Sequence, residues 1–302
     1  MSEGLVERIG ELKGERKAVI LAHNYQLPEV QDIADFTGDS LGLSRQAAAT
    51  EAEVIVFCGV HFMAQTAKLL SPEKIVLLPA LDAGCPMADM IIPERLRELR
   101  AEHPCAKVVA YVNTSAEVKA EVDVCCTSAN AVKVVEAMGQ EADEVLFVPD
   151  KNLAHWVAGQ VTVKVIPYRG FCPTHVWITP DAVQKQREEH PHALFMCHPE
   201  CEPEVVALAD EVLSTSGMLK FARTSEAREI IVGTEVGLLH PLRKDSPEKT
   251  FYGFPSALCP NMKKTTLDKV AAALETLTPR IEIPEDIAAR ARQSVERMVQ
   301  YG

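Results

Sequence analysis

No Cys-x-x-Cys pair occurs in the 302-residue sequence, although it contains nine cysteines, so the ligand spacings of zinc ribbons and ferredoxins are absent. No apolar run approaches the ~18 residues that would suggest a membrane span, and no membrane partner is expected. The opening stretch MSEGLVERIGELKGERKAVI has the pattern of a charged amphipathic helix leading into a strand, not of a signal peptide, so the expected location is the cytoplasm. Basic residues are scarce: 31 Lys and Arg stand against 43 Asp and Glu, for a formal net charge of -12. Nucleic-acid backbones call for a basic surface, so no nucleic-acid partner is expected. Small anions remain admissible, because helix N-termini and a few local cations can hold them. Neither GxGxxG nor GxxxxGK followed by Ser or Thr appears, and a nucleotide cofactor has no support.

What is present is the composition of a soluble globular protein, 47% hydrophobic and 25% charged, long enough for two or three small domains. Nine cysteines without an export signal favour metal binding or catalysis over disulfides. The ligands of such a metal must come from distant segments.

An internal repeat explains how they meet. PEVQDIAD begins at Pro28, AEVKAEVD at Ala116 and PEVVALAD at Pro203, starts 88 and 87 residues apart. Each follows an apolar strand (18–25, 108–115, 194–200) and precedes a hydroxyl-rich turn: TGDSLGL, CTSANAV or LSTSGML. A second strand (53–60, 144–151, 229–236), a helical stretch and a third strand lead to Cys85-Pro86, Cys172-Pro173 and Cys259-Pro260, whose cysteines lie 87 and 87 residues apart. Apolar strands alternating with helical patterns predict an α/β fold of three homologous αβα three-layer units with short parallel sheets. The expected units are 1–104 with a leading helix, 105–192, and 193–302 with a closing helix at 284–300. Three equivalent units pack most simply around a pseudo-threefold axis, with strand carboxyl ends aimed at an active site in the centre.

Three matched constellations surround that centre. A single cysteine is usually a small packing residue; three at one place in three repeats make Cys85, Cys172 and Cys259 a metal site. Three thiolates without a fourth suit an iron–sulfur cluster with one open iron, or a zinc ion with an open position. The first strands end in His23-Asn24-Tyr25, Tyr111-Val112-Asn113 and His198-Pro199-Glu200, where His and Glu can exchange protons near neutral pH and Tyr and Asn can donate to oxyanions. Ser40, Ser128 and the Ser214-Thr215-Ser216 run mark helix starts, ordinary N-caps that can also bind phosphate or carboxylate. Glu235 reads equally as a site residue or a cap, His175 as facing the metal or capping its helix, and Lys263 and Lys264 as a solvated face. Cys58, Cys105, Cys125, Cys126, Cys197 and Cys201 do not recur in register and read as mostly structural.

AHNYQLPEVQDIADFTGDS, YVNTSAEVKAEVDVCCTSANAV, GFCPTH, HPEC and NMKK together closely resemble the quinolinate synthase family, the A protein of bacterial and archaeal NAD biosynthesis. The likeness runs over nearly the whole chain; one departure is LST where relatives often read GST. The resemblance implies three αβα domains and a 4Fe–4S cluster on Cys85, Cys172 and Cys259. It also implies condensation of iminoaspartate with dihydroxyacetone phosphate to quinolinate, with loss of phosphate and two waters. It implies catalytic roles for His23, Tyr25, Tyr111, Asn113, His198 and Glu200. Substrate binding falls to His23, Ser40, Tyr111, Asn113, Ser128, His175, His198, Glu200 and Thr215. An L-aspartate oxidase or dehydrogenase is the expected source of iminoaspartate. The rivals are a non-catalytic metal-binding or phosphate-sensing protein, which has no use for acid–base groups at strand ends, and a different iron–sulfur hydro-lyase.

Overall fold

The computed structural model describes residues 2–301. Three four-stranded sheets, all parallel, carry the chain. The first holds β1 (Ala18–His23), β2 (Phe36–Gly38), β3 (Val54–Cys58) and β4 (Ile75–Leu77). The second holds β5 (Lys107–Tyr111), β6 (Val124–Cys126), β7 (Glu144–Val148) and β8 (Lys164–Pro167). The third holds β9 (Leu194–Cys197), β10 (Glu211–Val212), β11 (Glu229–Gly233) and β12 (Thr250–Gly253). Their orders, β2-β1-β3-β4, β6-β5-β7-β8 and β10-β9-β11-β12, are one topology used three times. Helices cover both faces, so a strand such as β3, VIVFC, is buried at every residue.

The recurring motif ends in an aspartate, and the structure gives the reason. The carboxylates of Asp35, Asp123 and Asp210 accept hydrogen bonds of 2.8 Å from the amides of Ile20, Val108 and Phe195. The aspartates' own amides donate back to the carbonyls of the same residues. A cation from the preceding helix completes each tie, Lys13 at 2.7 Å, Arg100 at 2.7 Å and Arg187 at 2.8 Å. These clasps fix the edge strand against the central strand of each sheet.

Two details differ from the sequence expectation. Each unit has four strands rather than three, because β2, β6 and β10 are two or three residues long and too short for a periodic signal. The first and second strands also stop earlier than expected, at His23, Tyr111, Cys197, Cys58, Val148 and Gly233. The polar residues beyond those points leave the sheet.

Helices Pro93–Glu102 and Pro180–Glu189 follow the first two Cys-Pro pairs and supply Arg100 and Arg187 to the next sheet. The third such helix, Leu267–Thr276, packs on helix Ser2–Glu15 and on β3 of the first sheet. The closing helix Glu285–Gln300 buries Ala288, Ala291, Val295 and Met298. It lies against β6, helix Ala116–Lys119 and helix His61–Leu70, spanning the second and first units. Among the described residues no helix is long and apolar enough to cross a membrane.

Asp123→Ala strands both the Val108 amide and Arg100; a loss of about 1–3 kcal/mol in unfolding free energy is expected from urea titration, with Asp123→Asn losing less because it keeps an acceptor.

Candidate active site

The carboxyl ends of the three sheets share one cavity of about 140 Å³, several times the ~30 Å³ share of one water and so a ligand site rather than a packing defect. All thirteen site residues that the family resemblance implies line it: Cys85, Cys172 and Cys259; His23, Tyr25, Tyr111, Asn113, His198 and Glu200; Ser40, Ser128 and Thr215; and His175.

Backbone hydrogen bonds place the thiols. Two residues before each cysteine, the carbonyls of Ala83, Gly170 and Ala257 accept from the amides of His61 (2.8 Å), Lys151 (2.7 Å) and Val236 (2.9 Å), just past β3, β7 and β11. At Gly170 a Cβ would sit 2.5 Å from the Pro149 carbonyl oxygen, so no side chain fits. Burial pushes the Cys85 thiol up to about 12 and raises those of Cys172 and Cys259. Any metal bound there must therefore displace protons.

Among the described residues, one compact donor group exists: a sulfur of Cys172, a ring nitrogen of His175 and a carboxylate oxygen of Glu200 lie within 4.8 Å of one another, close enough for one metal ion. The three thiols do not form such a group. Two sulfurs on one zinc, each at about 2.3 Å, are at most about 4.6 Å apart. The three cysteines therefore suit a wider group than a single ion.

The strand-end side chains form an acid–base cluster. The Nδ1 atoms of His23 and His198 accept from the amides two residues on, Tyr25 (3.2 Å) and Glu200 (3.3 Å), which leaves Nε2 to carry the hydrogen. His198 Nε2 meets the Ser128 hydroxyl at 3.1 Å. Burial pushes both imidazoles down to about 3. They are thus neutral donors, not the near-neutral titrating groups expected from the sequence. Burial by itself raises Glu200, but His175, His198 and the Tyr111 hydroxyl outweigh it and hold the carboxyl well below its usual range. The Tyr111 hydroxyl donates to Glu200 Oε1 at 2.5 Å, and His175 Nδ1 lies 2.8 Å from Oε2. Burial and then Glu200 raise both Tyr25 and Tyr111, which stay protonated.

In the first and third units neighbouring residues do the capping, which spares Ser40 and Thr215 that task. Asp39 caps helix Ser40–Ala49, and Ser214 caps helix Thr215–Thr224. In the second unit Asn130 holds the turn through the Thr127 amide at 2.7 Å, so Ser128 sits just before its helix rather than on its first residue. Thr215 Oγ1 accepts from Asn24 at 3.0 Å. Asn113 Oδ1 is a buried acceptor without a partner among the described residues.

Three residues carry more than their sequence signal suggested. Glu235 both caps, accepting from Gly237 at 2.7 Å, and lines the cavity, accepting from the Cys259 amide at 3.0 Å. Lys263 is drawn inward rather than solvated: it pairs with Glu235 at 2.9 Å and donates to the Tyr25 carbonyl at 2.5 Å. Lys264 does stay outside, beside Asp82. Thr234, unflagged, bonds to Tyr25 and His175; a lone Thr in EIIVGTEV gives no signal.

With the Glu235 side chain 0% exposed and that of Lys263 17% exposed, Lys263→Met leaves a buried carboxylate unpaired. Unfolding free energy should fall by about 3 kcal/mol in urea titration, whereas a change under 0.5 kcal/mol marks the pair as dispensable.

All-parallel α/β units whose strand ends gather thiols, imidazoles, phenols and carboxylates around a single pocket define an α/β enzyme with a central, metal-competent site. The family model described as quinolinate synthetase A protein matches residues 7–300. Quinolinate synthase 1 of Methanosarcina acetivorans is 54% identical over 296 residues, 98% of this chain and 97% of that protein. The quinolinate synthase of Geotalea uraniireducens is 55% identical over 96% of this chain and 95% of its own length. That of Methanoregula boonei is 55% identical over 98% and 97%. The chain belongs to the quinolinate synthetase A protein family and is an enzyme.

Proposed function

We propose that the protein is a quinolinate synthase of de novo NAD biosynthesis, condensing iminoaspartate with dihydroxyacetone phosphate to quinolinate, phosphate and two waters. The observation that carries the reading is the convergence of three hydroxyl-bearing helix starts and three cysteines on one cavity in a chain of this family. The substrates together bring a phosphate and two carboxylates, and three helix starts with Ser40, Ser128 and Thr215 offer three anion sites without a basic patch.

Cys85, Cys172 and Cys259 would hold a 4Fe–4S cluster; the spread of the three thiols and their shared cavity fit that group better than one ion. Bound there, the cluster supplies an open, Lewis-acidic iron for dehydration. The protein's own groups divide the remaining work. His23 and His198 present Nε2–H to substrate oxygens, and Asn113 offers an unpartnered acceptor. Glu200, ionised and held by Tyr111, is the general base, and Tyr25 and His23 serve the proton transfers of triose isomerisation. A cavity between three units excludes water, which matters because iminoaspartate hydrolyses readily. The units 1–104, 105–192 and 193–302 are read as domains about a pseudo-threefold axis. The enzyme would work in the cytoplasm, with iminoaspartate supplied by an L-aspartate oxidase or dehydrogenase.

The compact Cys172–His175–Glu200 group supports a second reading, a single catalytic metal ion. Cys85→Ala separates the two. On the cluster reading, anaerobically purified wild type is brown and forms a pyridine dicarboxylate from the two substrates, while the variant loses visible absorbance and all turnover. A variant that keeps one tightly bound metal and its activity sinks the cluster reading. Glu200→Gln should keep the wild-type absorbance and iron content and lose about 10²–10⁴-fold in kcat; loss of iron instead assigns Glu200 to the metal.

A further inference from the structure

Among the described residues Lys119 is the one lysine or arginine that is fully buried. It ends the short helix Ala116–Lys119, which packs against the closing helix and helix His61–Leu70. Its ammonium donates to the Thr114 carbonyl and lies 5.4 Å from the centre of the Phe62 ring. Glu117, the one carboxylate that acts on it, does so without a hydrogen bond. Burial lowers the ammonium to about 8, which leaves it charged at pH 7. A cation held by one carbonyl and one ring is costly to bury unless an anion stands near it.

The repeat shows that the fold does not require a cation at this position. Gln31 and Val206 hold the matching places of the first and third units, 88 and 87 residues away. Gln31 makes the same tie with a neutral amide: its Nε2 donates at 2.9 Å to the carbonyl of Gln26, the counterpart of Thr114. Val206 has no donor to offer. The charge of Lys119 is therefore a property of the second unit alone.

Three groups act on the ammonium when ionised: Cys125, Glu117 and Cys85. Burial raises the Cys125 thiol, whose sulfur lies 3.4 Å from the Ser294 hydroxyl, so it stays neutral. Glu117 is only half-buried, and water screens it. Cys85 differs from both, because metal ligation turns a thiol into a thiolate whatever its free pKa. Phe62 and Cys85 both line the central cavity, and both line an outer recess together with Ser115, the cap of the Lys119 helix. The ammonium thus stands behind the Phe62 ring, where no water intervenes to weaken its field. Three thiolates make a 4Fe–4S cluster anionic, and reduction adds a further negative charge.

We propose that Lys119 is the counter-charge of the anionic group held by Cys85, Cys172 and Cys259, a positioning residue that acts through Cys85 and raises the reduction potential of the bound cluster. The inference rests on the cluster reading given under the proposed function. Lys119→Gln installs the residue of the first unit, keeping a donor for Thr114 and removing the charge. Lys119→Met removes both. Each protein is purified anaerobically, supplied with ferrous iron and sulfide, and titrated with a low-potential reductant while visible absorbance and the paramagnetic signal of the reduced cluster are followed. Both variants should bind wild-type amounts of iron, and both should be reduced about tenfold less readily at a given potential, a fall of about 59 mV for a one-electron couple. A loaded Gln variant with the wild-type potential overturns the proposal. A shift in the Met variant alone overturns it too, because the hydrogen bond to Thr114 then accounts for the effect. Wild-type protein that takes up no iron and sulfide sinks the cluster reading and this inference with it, a failure distinct from an unshifted potential in a loaded variant.

Discussion

Three backbone hydrogen bonds decide where the recurring cysteines of this protein meet. The amides of His61, Lys151 and Val236 each hold a loop carbonyl two residues before a cysteine, and so convert a repeat of 87 residues into three thiols around one cavity. Because donor and acceptor are both main chain, the tie makes no demand on the side chains just before the donor, although at the acceptor Gly170 no side chain fits. That freedom is visible in the paired positions Gly59-Val60, Pro149-Asp150 and Thr234-Glu235. The backbone repeats while the side chains diverge, and the third unit alone uses both positions for polar groups that reach the site.

The cavity also resolves how a chain of net charge -12 can receive anions. Burial keeps His23 and His198 neutral, so these two contribute hydrogen-bond donors and no charge. The attraction comes from the positive ends of helix dipoles, whose local reach makes the global charge of the molecule nearly irrelevant. Lys263 does not supply free positive charge, since Glu235 and the Tyr25 carbonyl occupy it. The one strongly anionic group facing the cavity with a lowered pKa, Glu200, is held by Tyr111 and His175. On the proposed function, a substrate carboxylate therefore has reason to settle at the helix starts rather than beside Glu200.

Much of this was legible in the sequence because repetition amplifies weak signals. One Cys-Pro pair or one strand-end histidine carries little information; three in register identified all the cavity's thiols and its strand-end groups. What lay beyond reach had no repetition to reveal it. Strands of two or three residues, such as β10, have no period. The inward turn of Lys263 depends on a carboxylate 28 residues away, and Thr234 is a single hydroxyl between two partners from other units. The ionisation of His23 and His198 was misjudged because it follows from burial, which the sequence pattern of a strand end does not report. The recurring aspartates of the repeat motif were in plain view, yet their function as clasps on Ile20, Val108 and Phe195 needed the sheet register to interpret.

The way the chain closes bears on the precision of the site. Each unit contributes one cysteine and one strand end, so the distances that matter are distances between units. Helices Pro93–Glu102 and Pro180–Glu189 link each unit to the next through Arg100–Asp123 and Arg187–Asp210. Helix Leu267–Thr276 packs instead on the first sheet. Helix Glu285–Gln300 then bridges the second and first units, with Ser294 donating to the Lys119 carbonyl at 2.8 Å. The C-terminal residues thus bind the beginning and middle of the chain together rather than the unit from which they emerge. A site assembled from three units gains the rigidity that catalysis needs only when such cross-links remove their relative motion, and the chain's last helices are placed to do that.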